Sequence, residues 1–259
     1  MKDCCRLIAD SAPANKSAPF LQGRLKLCSG PLQQLCGLRM PSNSKSTFEI
    51  NKADIEKLWE IHKEIGGEGR GRRRGVEVLN RSVIIFVTAC WESYIEDLAV
   101  EAFDFLLAHA PTAAAIPNKV KSLAIKDIKN DPNPLKLWDL ADTGWQAILL
   151  AHKTEVHEKW LGKFNTPKSE QVDALYEEML GLNSLSSYWK WNKMKADRAK
   201  TKLDDFITVR GNIAHRIRDA QPVAKNTGAT YLTHVRQIVD RCEQAVANHL
   251  KAQTGVAPW

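Results

Sequence analysis

An all-α bundle with a long central helix and a disordered N-terminal extension is the fold class that this sequence predicts. Three observations predict it. Apolar residues recur at helical spacing in several separate segments, each closed by Gly or Pro. No stretch shows the period-two alternation, bounded by turn signals, that strands require. One segment, 76–109, runs without a single Pro or Gly and is apolar around most of its circumference. There is no internal repeat.

Composition bounds the rest. The chain has 259 residues, 44% hydrophobic and 26% charged, the balance of a soluble globular protein able to bury a sizeable core. No apolar run approaches the roughly 20 residues of a membrane span, and a cytoplasmic location is expected with no membrane partner. The net charge of +7 leans toward anionic partners, but residues 1–39 supply +4 of it and the body only +3. Of the six cysteines, Cys4, Cys5, Cys28 and Cys36 lie in that tail, and Cys4-Cys5 lacks the C-x-x-C spacing of a zinc site. Cys90 and Cys242 fall inside apolar helical patterns, where buried reduced thiols are expected.

Taken in order, residues 1–45 mix Ser, Ala, Pro and Gly without a sustained period and read as a disordered extension. They hold no uninterrupted apolar run of secretory type, and Met40 is expected to be the true start of translation. Ordered sequence is expected from near Asn51, with a domain over 50–252. Ile55, Leu58, Trp59, Ile61, His62 and Ile65 share a helical face that Gly66-Gly67 ends. The run from Gly66 to Gly75 has the glycines of a phosphate loop but neither G-K-[ST] nor a preceding strand, so it is no nucleotide P-loop. Its Arg70, Arg72, Arg73 and Arg74 form either a solvated basic turn or a patch that tracks phosphates.

The segment 76–109 should be the central helix. Val83, Val87, Trp91, Tyr94, Ile95, Leu98, Ala102, Phe105 and Leu106 make a broad stripe, and Ile84, Ile85 and Phe86 widen it. Its polar exceptions, Thr88, Glu92 and Glu96, recur every four residues along one side. They are either a solvated strip, or Glu92 faces a basic site and holds an arginine; a carboxylate among such neighbours wants a partner.

Pro111 and Pro117 then bracket a loop, and short helical pieces follow around Lys119–Lys129. A helix over 143–161 stops at Gly162. Its His152, Glu155 and His157 match neither H-E-x-x-H nor H-x-x-E-H and read as solvent-facing polar residues, with no metal expected. Asn165-Thr166-Pro167 reads as a helix start, Val172, Leu175, Tyr176, Met179 and Leu180 as that helix's apolar face, and Gly181 as its stop. Tyr188, Trp189 and Trp191 stand amid lysines, a composition that serves base stacking but more often anchors a connection to the core. Tyr231, Val235, Ile238, Val239, Cys242, Val246 and Leu250 form the face of a last helix, and Gly255–Trp259 should fray.

Between these lies Leu203–Arg216, where an apolar run leads to Arg210 and His215 follows five residues later. Five residues of ideal helix turn through about 500°, leaving the two side chains roughly 140° apart. The pair converges only if the helix loosens or ends near Gly211, a poor helix former. A guanidinium that never deprotonates, beside an imidazole that titrates near neutral pH, suits phosphate chemistry. The plain alternative is that Arg210 caps a helix or pairs with Glu92, with His215 in a linker.

Arg210-Gly-Asn-Ile-Ala-His215 fits the R-x4-6-H motif of the HEPN domains. The stretches Val87–Leu98, Phe164–Lys168, Met179–Leu182 and Leu203–His215 follow in the order expected of the RiboL-PSP-type HEPN branch, which the chain resembles over roughly residues 50–252. The resemblance implies an HEPN-like helical bundle that pairs about a two-fold axis and brings two motifs into one cleft. It implies a metal-independent endoribonuclease with no cofactor, acting through the ribose 2′-hydroxyl, of toxin or defence type, with RNA as partner and a possible antitoxin or other protein partner. His215 would serve as general base or acid, and Arg210 would bind the scissile phosphate. Asn212 and Glu92 are supporting candidates, and Arg216, Arg218, Arg70, Arg72, Arg73 and Arg74 are candidates for contact with RNA. Family members often carry Asn directly after the Arg, whereas here Gly211 stands there and Asn212 follows. The alternative is a non-catalytic HEPN module that binds nucleotide or a protein partner.

Overall fold

Eight α-helices organise the described residues, which in this computed structural model are 40–66, 77–161, 167–215 and 223–259. They are α1 (Asn43–Gly66), α2 (Glu77–His109), α3 (Asn118–Ala124), α4 (Lys126–Asn130), α5 (Gly144–Leu161), α6 (Ser169–Leu180), α7 (Ala196–His215) and α8 (Lys225–Thr254). Short 3-10 turns fall at Ala113–Ala115, Pro134–Leu140 and Leu185–Tyr188. Among the described residues the one extended pairing is an isolated bridge between Trp191 and Met194, so the fold is all-α as the sequence predicts. No helix of the described residues is long and apolar enough to cross a membrane.

The 33-residue α2 is the centre, with α1, α5, α6, α7 and α8 packed on it. Val83, Ile84, Val87, Trp91, Tyr94, Ile95, Leu98, Ala102 and Leu106 are buried, as the stripe predicts. Ile85 and Phe86 are not; they face solvent, with Phe86 half exposed. The polar atoms of α2 and its partners are matched across helices. The Trp91 Nε1–H donates to Pro167 O (3.1 Å) and Tyr94 O–H to Val239 O (3.0 Å), while Ile95 O accepts from Tyr176 O–H (3.0 Å). The Asn80 amide donates to Val223 O (2.9 Å) just ahead of α8.

Two helix starts differ from the sequence expectation, and in both the cap is supplied from far away. Helix α1 begins at Asn43, inside the stretch expected to be an extension, because the backbone N–H and hydroxyl of Ser42 bond Glu243 of α8 (2.7 and 2.8 Å). Glu101 of α2 accepts from the N–H groups of Asn43 and Ser44 (2.9 and 3.0 Å). These carboxylates satisfy N–H groups that a helix start leaves unpaired and complement its dipole. Helix α6 begins at Ser169 rather than after Asn165: Ser169 N–H and Oγ–H donate to Asp204 of α7 (both 2.9 Å), and Gln171 accepts from Lys168 N–H (3.0 Å).

The stop at Gly181 is as expected. Its φ of +65° is the left-handed conformation that favours glycine, and an added Cβ would lie 2.5 Å from the Pro117 Cβ. Trp189 anchors the connection: it is buried, edge-on to Trp91 (5.8 Å), and its Nε1–H donates to Cys242 Sγ (3.1 Å). Cys90 and Cys242 are free and buried. Two expectations fail. His152 is buried rather than solvent-facing, its Nε2–H donating to Glu178 O (3.1 Å) across the α5–α6 contact. Trp259 packs against the core instead of fraying, because α8 ends at Gly255 (φ +78°) and the chain turns back there. Gly181→Ala should cost about 1–3 kcal/mol of stability, from the strained φ and the Pro117 overlap, as measured by urea unfolding.

Candidate functional site

Helix α7 remains α-helical from Ala196 through Gly211 to His215, so the expected loosening at Gly211 does not occur. An added Cβ at Gly211 would meet nothing within 4 Å, and no close packing requires the glycine. Positions 210 and 215 therefore lie roughly 140° apart around one continuous helix. His215 is the last residue of that helix.

Arg210 is half-buried, where α7 passes α2 and α8. Of the sequence candidates it meets Glu92: burial raises the Glu92 carboxyl above its usual pKa, and the field of Arg210 pulls it back. Among the described residues no ion pair joins the two within 4.0 Å, so this is an interaction through space. Asn212 is exposed. Arg70, Arg72, Arg73, Arg74, Arg216 and Arg218 lie outside the described residues.

The structure adds Tyr231 of α8, which the sequence pattern marks only as part of an apolar face. It is fully buried, stacked on Phe206 of α7 (4.3 Å between ring centroids), and its hydroxyl lies 3.0 Å from Thr88 Oγ1. Thr88 has one hydroxyl hydrogen and donates it to Ile84 O (2.9 Å), so Tyr231 is the donor to Thr88. Burial drives the phenol well above its usual pKa, the Thr88 bond and Arg210 oppose that, and Glu92 adds to it. Arg210, Glu92 and Tyr231 thus share one electrostatic environment on three helices. The fourfold spacing of Thr88 and Glu92 was visible in the sequence; what brings Tyr231 to them is the α2–α8 packing.

Glu96, one turn beyond Glu92, completes the strip. Its carboxyl is pushed up to about 7, first by burial, then by Glu92 and Asp97. A pair of carboxylates one turn apart, only one of them facing an arginine, titrates unequally. Among the described residues no group of His, Cys, Asp and Glu has the arrangement of a metal site.

The family model described as RiboL-PSP-HEPN matches residues 48–248, a span that contains every helix partner of this site and the whole of Arg210–His215. No curated protein and no solved structure matches the chain.

The Glu96 carboxyl makes a signed prediction. Its folded pKa lies above the ordinary value of 4.5, so the folded state holds the proton longer than the unfolded chain does. Stability is therefore highest below about pH 4.5 for this group and falls as pH rises toward 7. Glu96→Gln should melt higher than the parent at pH 8 and differ less from it at pH 4.5, as read from melting temperatures of the two proteins across that range.

Proposed function

The chain belongs to the RiboL-PSP-HEPN family, and from that premise we propose that it is a metal-independent endoribonuclease active as a homodimer. The observation that carries the reading is the half-buried Arg210, set beside the central helix and five residues ahead of the histidine that ends α7. The 2′-hydroxyl of the substrate attacks the adjacent phosphorus, and the bond from phosphorus to the 5′-oxygen breaks. The products are a 2′,3′-cyclic phosphate and a 5′-hydroxyl. A base takes the 2′ proton and an acid supplies one to the departing oxygen, both tasks suited to imidazole near neutral pH. Arg210 holds the non-bridging oxygens with a two-pronged donor and offsets charge as it builds.

Continuity of α7 supports the pairing of two copies. One chain offers one His215, at a helix position well round from Arg210; two chains about a two-fold axis offer two histidines and two arginines to one phosphate. The exposed face of α2 supports the place of contact. Val78, Ile85 and Phe86 are exposed apolar residues at helical spacing, and the same face leads along α2 to Glu92. An apolar strip of this kind is self-complementary when a copy meets it across the axis. In the cell such an enzyme acts as a toxin or defence nuclease, restrained by an antitoxin or another protein partner.

Glu92 favours the second reading, a non-catalytic module. Its field already offsets the charge that Arg210 would present to a phosphate.

Incubation with total RNA in EDTA separates the two. The parent protein should cleave and leave 2′,3′-cyclic phosphate ends, and His215→Ala or Arg210→Ala should lower the rate by about a hundredfold or more while leaving the circular dichroism spectrum unchanged. A purified dimer that leaves varied RNAs intact over long incubation removes the nuclease reading. Phe86→Arg should convert the dimer to monomer in light scattering and lower cleavage in parallel; an unchanged mass would rule out the α2 face.

A further inference from the structure

A cleft of about 280 Å³ runs along the seam of α7 and α8, closed at one end by the turn that the Trp191–Met194 bridge forms. Trp191, Met194, Lys202, Asn226, Thr233 and Gln237 line it, with the buried His234 as its floor. Among the described residues that line it there is no carboxylate. The His234 Nε2–H donates to Ala199 O (3.0 Å), and burial lowers the imidazole to a pKa of about 4, so Lys202 is the one charge on the lining at neutral pH. The remaining groups are an indole, a thioether, two amides, the two hydroxyls of Thr230 and Thr233, and the Ala229 methyl. That set offers a flat apolar surface beside amide donors and acceptors, and a single cation at the edge.

The cleft is connected to the site around Arg210. Trp191 lies against His234 (5.5 Å between ring centroids), His234 against Phe206 (6.2 Å), and Phe206 stacks on Tyr231 (4.3 Å), which reaches Thr88. Lys202 stands over the Phe206 ring at 5.8 Å. Lys202, Phe206 and Arg210 succeed one another every four residues on α7, so the two cations share one side of the helix about 12 Å apart along its axis. On one strand of a regular duplex the charges recur every ~3.4 Å along the axis, so a few nucleotides span that separation.

We propose that this cleft is a nucleotide subsite for single-stranded RNA, receiving a base a few nucleotides from the phosphate held by Arg210. The base lies against Trp191 and Met194 with Gln237 at its edge, Lys202 meets its phosphate, and Asn226, about 16 Å from Gln237 along α8, meets the neighbouring nucleotide. The inference rests on the reading of Arg210 as a phosphate-binding residue of an RNA-acting protein, and it extends that reading to a second contact on the same strand. Unpaired RNA is the substrate form it selects, because a base inside a duplex cannot turn its face to an indole.

The test uses a short single-stranded RNA with methylated 2′-hydroxyls, which blocks attack and lets binding be read by fluorescence anisotropy. The full-length parent is compared with Lys202→Gln, with the double variant Asn226→Ala/Gln237→Ala and with Arg210→Ala, each verified by circular dichroism. Both cleft variants should weaken binding about fivefold or more, Lys202→Gln should reduce the salt slope by about one, and an AMP competitor should bind far more weakly than the strand. Affinity within about twofold of the parent in both cleft variants overturns the proposal. So does AMP competing as strongly as the strand, which would mark a small-molecule pocket. The two readings fail separately. A parent that binds through the cleft yet leaves unmodified RNA intact loses the nuclease activity and keeps the subsite. A parent that cleaves, with cleft variants of unchanged KM, keeps the activity and loses the subsite.

Discussion

A 33-residue helix buried along most of its length has to find a hydrogen-bond partner for nearly every polar atom it takes out of water, and in this bundle those partners set where the other helices lie. Asn80 bonds a backbone carbonyl just ahead of α8 and Tyr94 one in its middle, and Thr88 receives the Tyr231 hydroxyl from the same helix. Trp91 reaches the carbonyl ahead of α6, and α6 returns Tyr176 to Ile95 O. Glu101 caps α1. Each bond contributes modestly, about 1 kcal/mol net, but leaving any one buried and unmade costs more than making it gains. The apolar face makes α2 central; the polar exceptions make the arrangement around it unique.

The site draws on the same constraint. Thr88 and Glu92 sit one turn apart on α2, and the first fixes Tyr231 while the second faces Arg210. Arg210 therefore lies in a place already defined by the core, with Phe206 stacked on Tyr231 one turn before it on α7. A guanidinium positioned by packing loses less freedom when it engages a phosphate than one on a loop. The neighbouring carboxylates limit how much positive potential the site presents, and their unequal titration makes that potential depend on pH through Glu96 more than through Glu92.

Much of this was legible in the sequence where the cause was local. The span of α2, the left-handed stop at Gly181, the face of α6 and the burial of Cys90 and Cys242 all follow from spacing and residue type within a few turns. What escaped has its cause elsewhere in the chain. Helix α1 starts early because Glu243, 201 residues away, bonds Ser42. Helix α6 starts late because Asp204 holds Ser169. His152 is buried because a carbonyl of α6 lies opposite it, and Tyr231 joins the site only through the packing of α8 on α2. That Glu92 holds an arginine was one of two readings open in the sequence; the fold places Glu92 in the field of Arg210 without an ion pair between them. The convergence of Arg210 with His215 at a loosened Gly211 was not met, because α7 carries the glycine without a break.

That unbroken passage has an energetic side. Glycine is about 1 kcal/mol poorer than alanine in a helix interior, and at position 211 no neighbouring atom offers a compensating contact. The deficit falls immediately before the final turn of α7, the turn whose last residue is His215. Helices open from their ends, and the glycine lowers the work of opening this one, while Ile213, buried in the core two residues later, opposes it. The end of α7 is thus set between a glycine that weakens its last turn and a core contact at Ile213 that keeps that turn closed.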